Sequence, residues 1–125
     1  MKPLNPLEKH EQMAFCAYLA LKKIPYFAIP NGGSRNALEA LSLSKQGVSP
    51  GVPDLMIPVV SGEYHGLFIE MKRKGGTVKD VTKHQKEWHK TLLGNGYCVV
   101  VCFGVQEAME AVQDYIRGFN GKMPD

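Results

Sequence analysis

The chain lacks the long apolar segments that mark membrane and exported proteins. No apolar run approaches the roughly 18 residues that a helix needs to cross a bilayer. The N-terminal residues 1–6 also lack the apolar core of a signal peptide. These absences predict a cytoplasmic protein with no membrane partner.

Cysteine and histidine are scarce, and neither forms a metal-binding pattern. Of the four histidines, His84 and His89 lie five residues apart, a spacing that does not suit a shared metal on one helix. We therefore predict no histidine metal ligand. The cysteines are odd in number and form no CxxC pair, which predicts buried, reduced thiols. They are Cys16, Cys98 and Cys102.

Length and composition predict one packed domain over residues 1–125, because 44% of the residues are hydrophobic. The net charge of +3 is mild, but its distribution is uneven. Residues 71–90 contain seven Lys and Arg against two acids. Such a basic segment can neutralise phosphates, although a solvated helix face is the alternative interpretation.

The first helix is predicted over residues 6–23, with Asn5 as its N-cap and Pro6 in its first turn. Glu11 lies in the middle of the apolar face, where a carboxylate is costly unless it is paired or binds a cation. The alternative is a Glu that reaches solvent at the edge of the face. The apolar face comprises Leu7, Ala14, Tyr18 and Leu21.

The remaining pattern predicts a mixed sheet covered by helices, because a helix separates the last two strands. The strands are predicted at residues 26–29, 54–60, 65–72 and 97–103, and the further helices at 36–45, 79–93 and 105–119. Residues 46–53 form an irregular loop, and the fully apolar strand 97–103 is expected at the centre of the sheet. The last helix is expected to bury Ala108, Val112, Tyr115 and Ile116.

The hairpin of residues 54–72 places three charged residues together. A turn centred on Gly62 pairs Asp54 with Glu70, and directly opposed residues have Cβ atoms about 4.5–5.5 Å apart. Lys72 shares the face of Glu70 because side chains alternate along a strand. Two facing acids repel each other, so a divalent cation is one solution, and an ion pair with Lys72 is the alternative.

The third helix is predicted to present lysines on one side and an amide on the other. Gln85 lies within the buried stripe, where it can reach the acids of the hairpin or bond to backbone. The lysines at i, i+4, i+7 and i+11 are Lys79, Lys83, Lys86 and Lys90. The buried stripe comprises Val78, Val81, Trp88 and Leu92.

A glycine loop at residues 30–35 precedes the second helix. The backbone N–H groups of this loop could hold a phosphate, and Arg35 could bind one. The loop lacks the Lys-Ser/Thr of a P-loop, and an ordinary turn is the alternative.

Together these motifs resemble the PD-(D/E)xK nucleases. The residues that carry the resemblance are Gly51-Val52-Pro53-Asp54-Leu55 and Ile69-Glu70-Met71-Lys72, with accessory Glu11 and Gln85. Within that superfamily the chain resembles the VRR-NUC (virus-type replication-repair nuclease) family over residues 8–116. The supporting residues are His10-Glu11-Gln12, Pro30-Asn31-Gly32, Gln85, Trp88 and Gly96-Tyr97.

The resemblance implies a restriction-endonuclease-like α/β fold and a site that holds Mg²⁺ or Mn²⁺. Asp54 and Glu70 would bind the metal with the Met71 carbonyl, and Glu11 would complete the shell. Lys72 would be the catalytic lysine and Gln85 a supporting residue. The residues expected to contact DNA are Asn31, Arg35, Arg73, Lys74, Lys79, Lys83 and Lys86.

The resemblance also implies a viral homodimer, located in the host cytoplasm, that acts on branched DNA such as four-way junctions. Met109 or Phe119 of the last helix could supply the dimer contact. The alternatives are a non-catalytic DNA-binding or assembly module with the same fold, an RNA-directed nuclease, and a sequence-specific restriction enzyme.

Overall fold

The structure is a computed structural model that describes residues 4–30 and 36–118, with the side chains described from Glu8 onward. The described residues form four α-helices and four strands, of which the second and third strands are consecutive, and a short 3₁₀-helix at Val78–Asp80 precedes the third helix. The helices are α1 (Leu4–Leu21), α2 (Ala37–Lys45), α3 (Lys83–Gly94) and α4 (Val105–Arg117). The strands are β1 (Phe27–Ala28), β2 (Leu55–Ile57), β3 (Leu67–Lys72) and β4 (Cys98–Phe103).

The strands form a four-stranded mixed sheet in the order β1-β2-β3-β4. The pairs β1/β2 and β2/β3 are antiparallel, and β3/β4 is parallel because α3 crosses between these two strands. The predicted α/β fold with a mixed sheet is confirmed. The prediction of a central β4 is wrong, since β4 lies at an edge of the described sheet. Its apolar sequence has another cause, because α3 and α4 both pack against it.

The hairpin register agrees with the prediction from a turn centred on Gly62. Leu55 pairs with Ile69, Met56 with Phe68 and Ile57 with Leu67. The paired part of β2 is shorter than predicted because Pro58 has no N–H to donate to a ladder. The chain instead closes with an isolated bridge between Ser61 and Tyr64.

The core lies on the sheet face covered by α1 and α4. Two inward predictions are wrong, because Leu21 is 80% exposed and Ile116 is 43% exposed. The buried face of α1 is set by Phe15 and Leu19, so the helix is rotated from the predicted face and Ala14 is exposed. The buried residues of α4 follow helical spacing and are Ala108, Ala111, Val112 and Tyr115.

The first helix begins and ends earlier than predicted. It starts at Leu4 rather than after an Asn5 cap. It ends at Leu21 because Lys23 adopts a left-handed conformation with φ 60°, which cannot continue an α-helix. The described residues contain no helix with the length and apolarity needed to cross a membrane.

The third helix starts at Lys83, four residues later than predicted, because two threonine caps divide the segment. Thr77 caps the short 3₁₀-helix, and Thr82 caps α3. Val78 lies before the second cap and is 74% exposed, so its predicted burial is wrong. The rest of the predicted stripe is half-buried and comprises Val81, Trp88 and Leu92.

The cysteines are free thiols, as predicted, and two of the three are buried. Burial raises the pKa of Cys98 to about 11 and is the main cause that raises the pKa of Cys102 to about 12. Cys16 is half-buried rather than buried. High thiol pKa values keep the buried cysteines in the unreactive protonated form.

Candidate functional site

Asp54 lies at the start of β2, where the irregular loop meets the sheet. Its backbone carbonyl accepts a hydrogen bond from the Ile29 N–H at 2.9 Å, which continues the β1/β2 pairing. Its side-chain Oδ2 accepts a hydrogen bond from the Met71 N–H at 2.7 Å. Asp54 is therefore held by both neighbouring strands, and its carboxylate lies against the end of β3.

The loop before Asp54 is fixed against α3. Gly51 has φ +90°, and a Cβ atom there would lie 2.6 Å from the backbone carbon of His84. The Trp88 indole N–H donates to the Ser49 hydroxyl at 3.2 Å, which ties the same loop one turn further along the helix. The close packing needs a residue without a side chain and fixes the approach of the chain to Asp54.

Glu70 lies on β3 and is 1% exposed. The Gln85 Nε2 donates to its Oε2 at 3.2 Å, and the His89 Nε2 lies 3.1 Å from its Oε1. Gln85 and His89 are one helical turn apart on α3, so one helix face contacts both oxygens of the carboxylate. The predicted reach of Gln85 to the hairpin acids is confirmed.

Gln85 also belongs to the cap of α3. Its Oε1 accepts a hydrogen bond from the Thr82 N–H at 2.9 Å, and the Thr82 hydroxyl accepts from the Gln85 N–H at 3.2 Å. Because the amide oxygen is committed to the cap, the amide nitrogen is the atom that faces Glu70. The capping box therefore orients a side chain of the site.

The electrostatics of the pair favour a bound proton or cation. Burial and, next, the negative charge of Glu70 raise the pKa of Asp54 from 3.8 to about 7, although the hydrogen bond from the Met71 N–H opposes the shift. A carboxyl with this pKa is poorly compensated as an anion. Asp54 and Glu70 thus have the mutual repulsion expected from the predicted register.

Lys72 is buried beside this pair, with 7% of its surface exposed. Its charge acts on Glu8 of α1, whose pKa is raised chiefly by burial, lowered by Lys72 and raised by Glu70. The charge of Glu8 in turn adds to the rise in the pKa of Asp54. Glu8 therefore interacts electrostatically with Lys72, Glu70 and Asp54.

Glu11 has a backbone partner at the start of α4. Its Oε1 accepts a hydrogen bond from the Val105 N–H at 2.7 Å, so it caps the start of α4. Glu8 is the α1 acid whose charge acts on Asp54 and Glu70, because it shares the buried face of Phe15 and Leu19. The part of Glu11 in the metal shell stays a prediction, and Glu8 is a second acid of α1 near the pair.

His89 was missed by sequence reasoning, which compared histidines only with each other. The signal was its spacing of four residues from Gln85, which places both on one helix face. Within the described residues, no three His, Cys, Asp or Glu side chains form a cluster suited to a metal. The carboxylates that face each other directly are Asp54 and Glu70.

The residues predicted to contact DNA lie on different elements. Lys83, Lys86 and Lys90 lie exposed on α3, whereas Lys79 lies in the 3₁₀-helix and does not continue their stripe. Lys74 is exposed after β3, and Arg73 is half-buried with a charge that acts on Glu8. The remaining predicted DNA contacts, Asn31 and Arg35, lie outside the described residues.

Comparisons with known proteins agree with this geometry. The family model of the VRR-NUC domain matches residues 9–106. A solved structure described as a "VRR_NUC domain protein" superposes with a TM-score of 0.75, at 30% sequence identity and with 88% of each chain covered. None of the curated proteins gives a significant match. The chain therefore belongs to the VRR-NUC domain family and is a nuclease-type domain.

Proposed function

We propose that the chain is a Mg²⁺- or Mn²⁺-dependent endonuclease that hydrolyses phosphodiester bonds in DNA. The observation that carries the proposal is the facing pair Asp54 and Glu70. Their repulsion, which raises the pKa of Asp54 to about 7, is relieved when a divalent cation lies between them. The alternative of a strand end neutralised by Lys72 is less favoured, because the charge of Lys72 is shared with Glu8.

The donor atoms suit a hard cation. Mg²⁺ prefers oxygen ligands and commonly uses one or two carboxylates together with water. The N–H and C=O of one residue point to the same side of an extended strand, and the Met71 N–H faces Asp54. We infer that the Met71 carbonyl also faces Asp54 and adds a third oxygen.

Each polar side chain of the site then has a task. A divalent metal held by Asp54 and Glu70 would supply Lewis-acid stabilisation and lower the pKa of an attacking water. Lys72 provides the positive charge that acidic residues alone cannot offer to a phosphate, and it can orient the attacking water. Gln85 fixes Glu70 through its amide. Glu8 is positioned to bind an outer water or to hold the Lys72 ammonium.

DNA is the proposed substrate because exposed cations lie on the elements that flank the pair. Lys83 and Lys86 belong to the helix that contacts Glu70, and Lys74 lies two residues after Lys72. Lysines in these positions attract the phosphate backbone without reading the sequence. Lys74, Lys83 and Lys86 therefore favour recognition of DNA shape over recognition of a base sequence.

We further propose that two copies associate and act on branched DNA such as a four-way junction. Large apolar side chains are exposed on α1, β1 and α2, and α2 buries none of its residues. A second copy could cover exposed apolar side chains of this kind. The side chains concerned are Met13, Phe27, Leu38 and Leu41. A two-fold dimer carries two symmetric sites, which matches the paired strands of a junction.

The test compares several nucleic-acid substrates side by side, with and without a divalent metal. Purified protein is incubated with labelled four-way junction, flap, duplex and single-stranded DNA and with single-stranded RNA, in Mg²⁺, in Mn²⁺ and in EDTA. The proposal predicts cleavage of DNA in both metals, none in EDTA, and the fastest cleavage on the junction. Binding without cleavage would favour a DNA-binding module, and faster cleavage of RNA would favour an RNA-directed nuclease.

A further inference from the structure

Two side chains of α3 contact the Glu70 carboxylate. Gln85 belongs to the capping box of the helix, whereas His89 has no part in the proposed function. Gln85 Nε2 lies 3.2 Å from Oε2 and His89 Nε2 lies 3.1 Å from Oε1. The side chains of His89 and Glu70 are 14% and 2% exposed, so the second contact is shielded from water. A contact of this length and burial is geometrically a full hydrogen bond.

The direction of the His89 contact follows from its partner. An ionised carboxylate only accepts hydrogen bonds, so His89 must carry a hydrogen on Nε2 and donate it to Glu70. The Gln85 amide is already fixed by the Thr82 cap and cannot move to replace His89. Each oxygen of Glu70 is therefore bound once by α3, and each retains a lone pair for the side that faces Asp54.

We propose that His89 is a positioning residue that orients Glu70 for metal binding. Without the Nε2–H donor, the carboxylate can rotate about its terminal bond while Gln85 holds only Oε2. The two oxygens would then spend less time with their free lone pairs directed toward Asp54. His89 contacts neither the metal nor the DNA in this account, and it acts only through Glu70. The inference rests on the proposed metal site.

The expected loss of metal affinity can be taken from other proteins in which a side chain orients a metal ligand by a hydrogen bond. Removing such a partner typically lowers metal affinity or activity by about 10–100-fold. For His89→Ala we expect a loss in this range in the affinity for Mn²⁺. A similar rise is expected in the Mg²⁺ concentration needed for half-maximal cleavage. The rate at saturating Mg²⁺ should fall less, because bound metal restores the carboxylate orientation.

The variants separate positioning from packing. His89→Gln keeps an N–H donor at a similar reach and should recover most of the Mn²⁺ affinity. His89→Phe fills the same space without a donor and should remain as weak as His89→Ala. The matched control is His84→Ala on the same helix, whose side chain is 67% exposed, lies 3.8 Å from Glu87 and keeps its Cβ in the variant. This control should bind Mn²⁺ like the wild type.

The experiment is calorimetric titration of Mn²⁺ into each variant, with the unfolding temperature measured in EDTA to confirm folding. Weak binding by His89→Phe with recovery by His89→Gln supports the inference, even if His89→Ala fails to fold. Wild-type affinity in His89→Phe would overturn the positioning role and leave the proposed nuclease intact. Absence of Mn²⁺ binding by the wild type would overturn the metal site and the inference together.

Discussion

The carboxylate of Asp54 accepts a hydrogen bond from the backbone N–H of Met71 at 2.7 Å, seventeen residues along the chain. The bond joins the start of β2 to the end of β3 and sets Asp54 beside Glu70. Because the donor is a backbone group, the carboxylate position depends on the hairpin register rather than on another side chain. The fold therefore builds the facing acids directly.

Without metal, this arrangement should make stability depend on pH. Folded Asp54 keeps its proton up to a pKa of about 7, whereas the unfolded group, with the ordinary value of 3.8, releases it earlier. Between these values the folded state binds more protons, so stability is highest below the lower pKa and falls as pH rises through the upper one. Thermal unfolding in EDTA across this range measures the fall.

The pH dependence of unfolding is also measured for a control variant and in the presence of Mg²⁺. Glu63 is an exposed acid in the hairpin turn, so Glu63→Gln should keep the wild-type dependence. Asp54→Asn should flatten it. Added Mg²⁺ should reverse the trend, because the cation binds the deprotonated acids. An equal fall of stability in Asp54→Asn would assign the pH dependence to other groups.

The packing of the loop on α3 predicts unequal effects at two glycines. Gly47 and Gly51 both have positive φ, at 98° and 90°, so alanine at either position should cost about 1–2 kcal/mol in backbone strain. Open space surrounds Gly47, whereas a Cβ at Gly51 would collide with His84. Gly51→Ala should therefore lose a further ~1–3 kcal/mol of unfolding free energy.

The same pair connects stability to the site. A shift of the loop at Gly51 displaces Asp54, so Gly51→Ala should also lower cleavage at saturating Mg²⁺, whereas Gly47→Ala should cleave normally. Urea unfolding and cleavage rates measure both effects. Equal behaviour of the two variants would show that the loop does not fix Asp54.

The exposed lysines of α3 should determine the salt dependence of DNA binding. Lys83→Glu with Lys86→Glu should weaken binding to every DNA and reduce the slope of log K against log salt by about 1 for each lysine that contacts a phosphate. The control variant is Lys22→Glu with Lys23→Glu, which reverses the same number of charges. These residues lie at the far end of α1, about 20 Å along the helix from Glu8. A wild-type slope for the α3 variant would place DNA elsewhere.

The proposed dimer should depend on α2. Leu38 and Leu41 are 80% and 53% exposed and lie one turn apart, so Leu38→Glu with Leu41→Glu should give a monomer in light scattering. The control changes Leu93 and Ile116, which are exposed on α3 and α4. A monomer only in this control would place the contact on the later helices, near the expected Met109, which is half-buried against the core. The other expected contact, Phe119, lies outside the described residues.

The sequence predicts those parts of the site that depend on local geometry. A count from Gly62 places Asp54 opposite Glu70, and the observed strand register agrees with it. The turn itself closes Ser61 with Tyr64, so one extra residue between Ile57 and Ser61 produces that register. Gln85 was also predictable, because an amide within a buried helical stripe needs a polar partner. Both inferences use periodicity and the pairing rules of a single element or hairpin.

The rest depended on how elements pack. Glu8 and Glu11 lie about 60° apart around α1, and only the contacts of Phe15 and Leu19 decide which acid faces the sheet. The position of β4 could not be predicted from its apolar sequence, since helices pack against both faces of this edge strand and favour apolar residues there too. His89 acquires a role only when α3 lies over Glu70.

The central claim is that Asp54 and Glu70 hold a metal that cleaves DNA, and Asp54→Asn tests it most directly. The exchange keeps the shape of the side chain and removes its charge. Without that charge the metal is no longer held, and its stabilisation of the transition state is lost. A loss of about 4 kcal/mol corresponds to about 1,000-fold slower cleavage. Glu63→Gln, measured beside it in Mg²⁺ on the same DNA, should cleave normally. The account predicts that Asp54→Asn binds DNA as tightly as the wild type or more tightly but cuts it about 1,000-fold more slowly. Full cleavage by that variant would contradict the metal site.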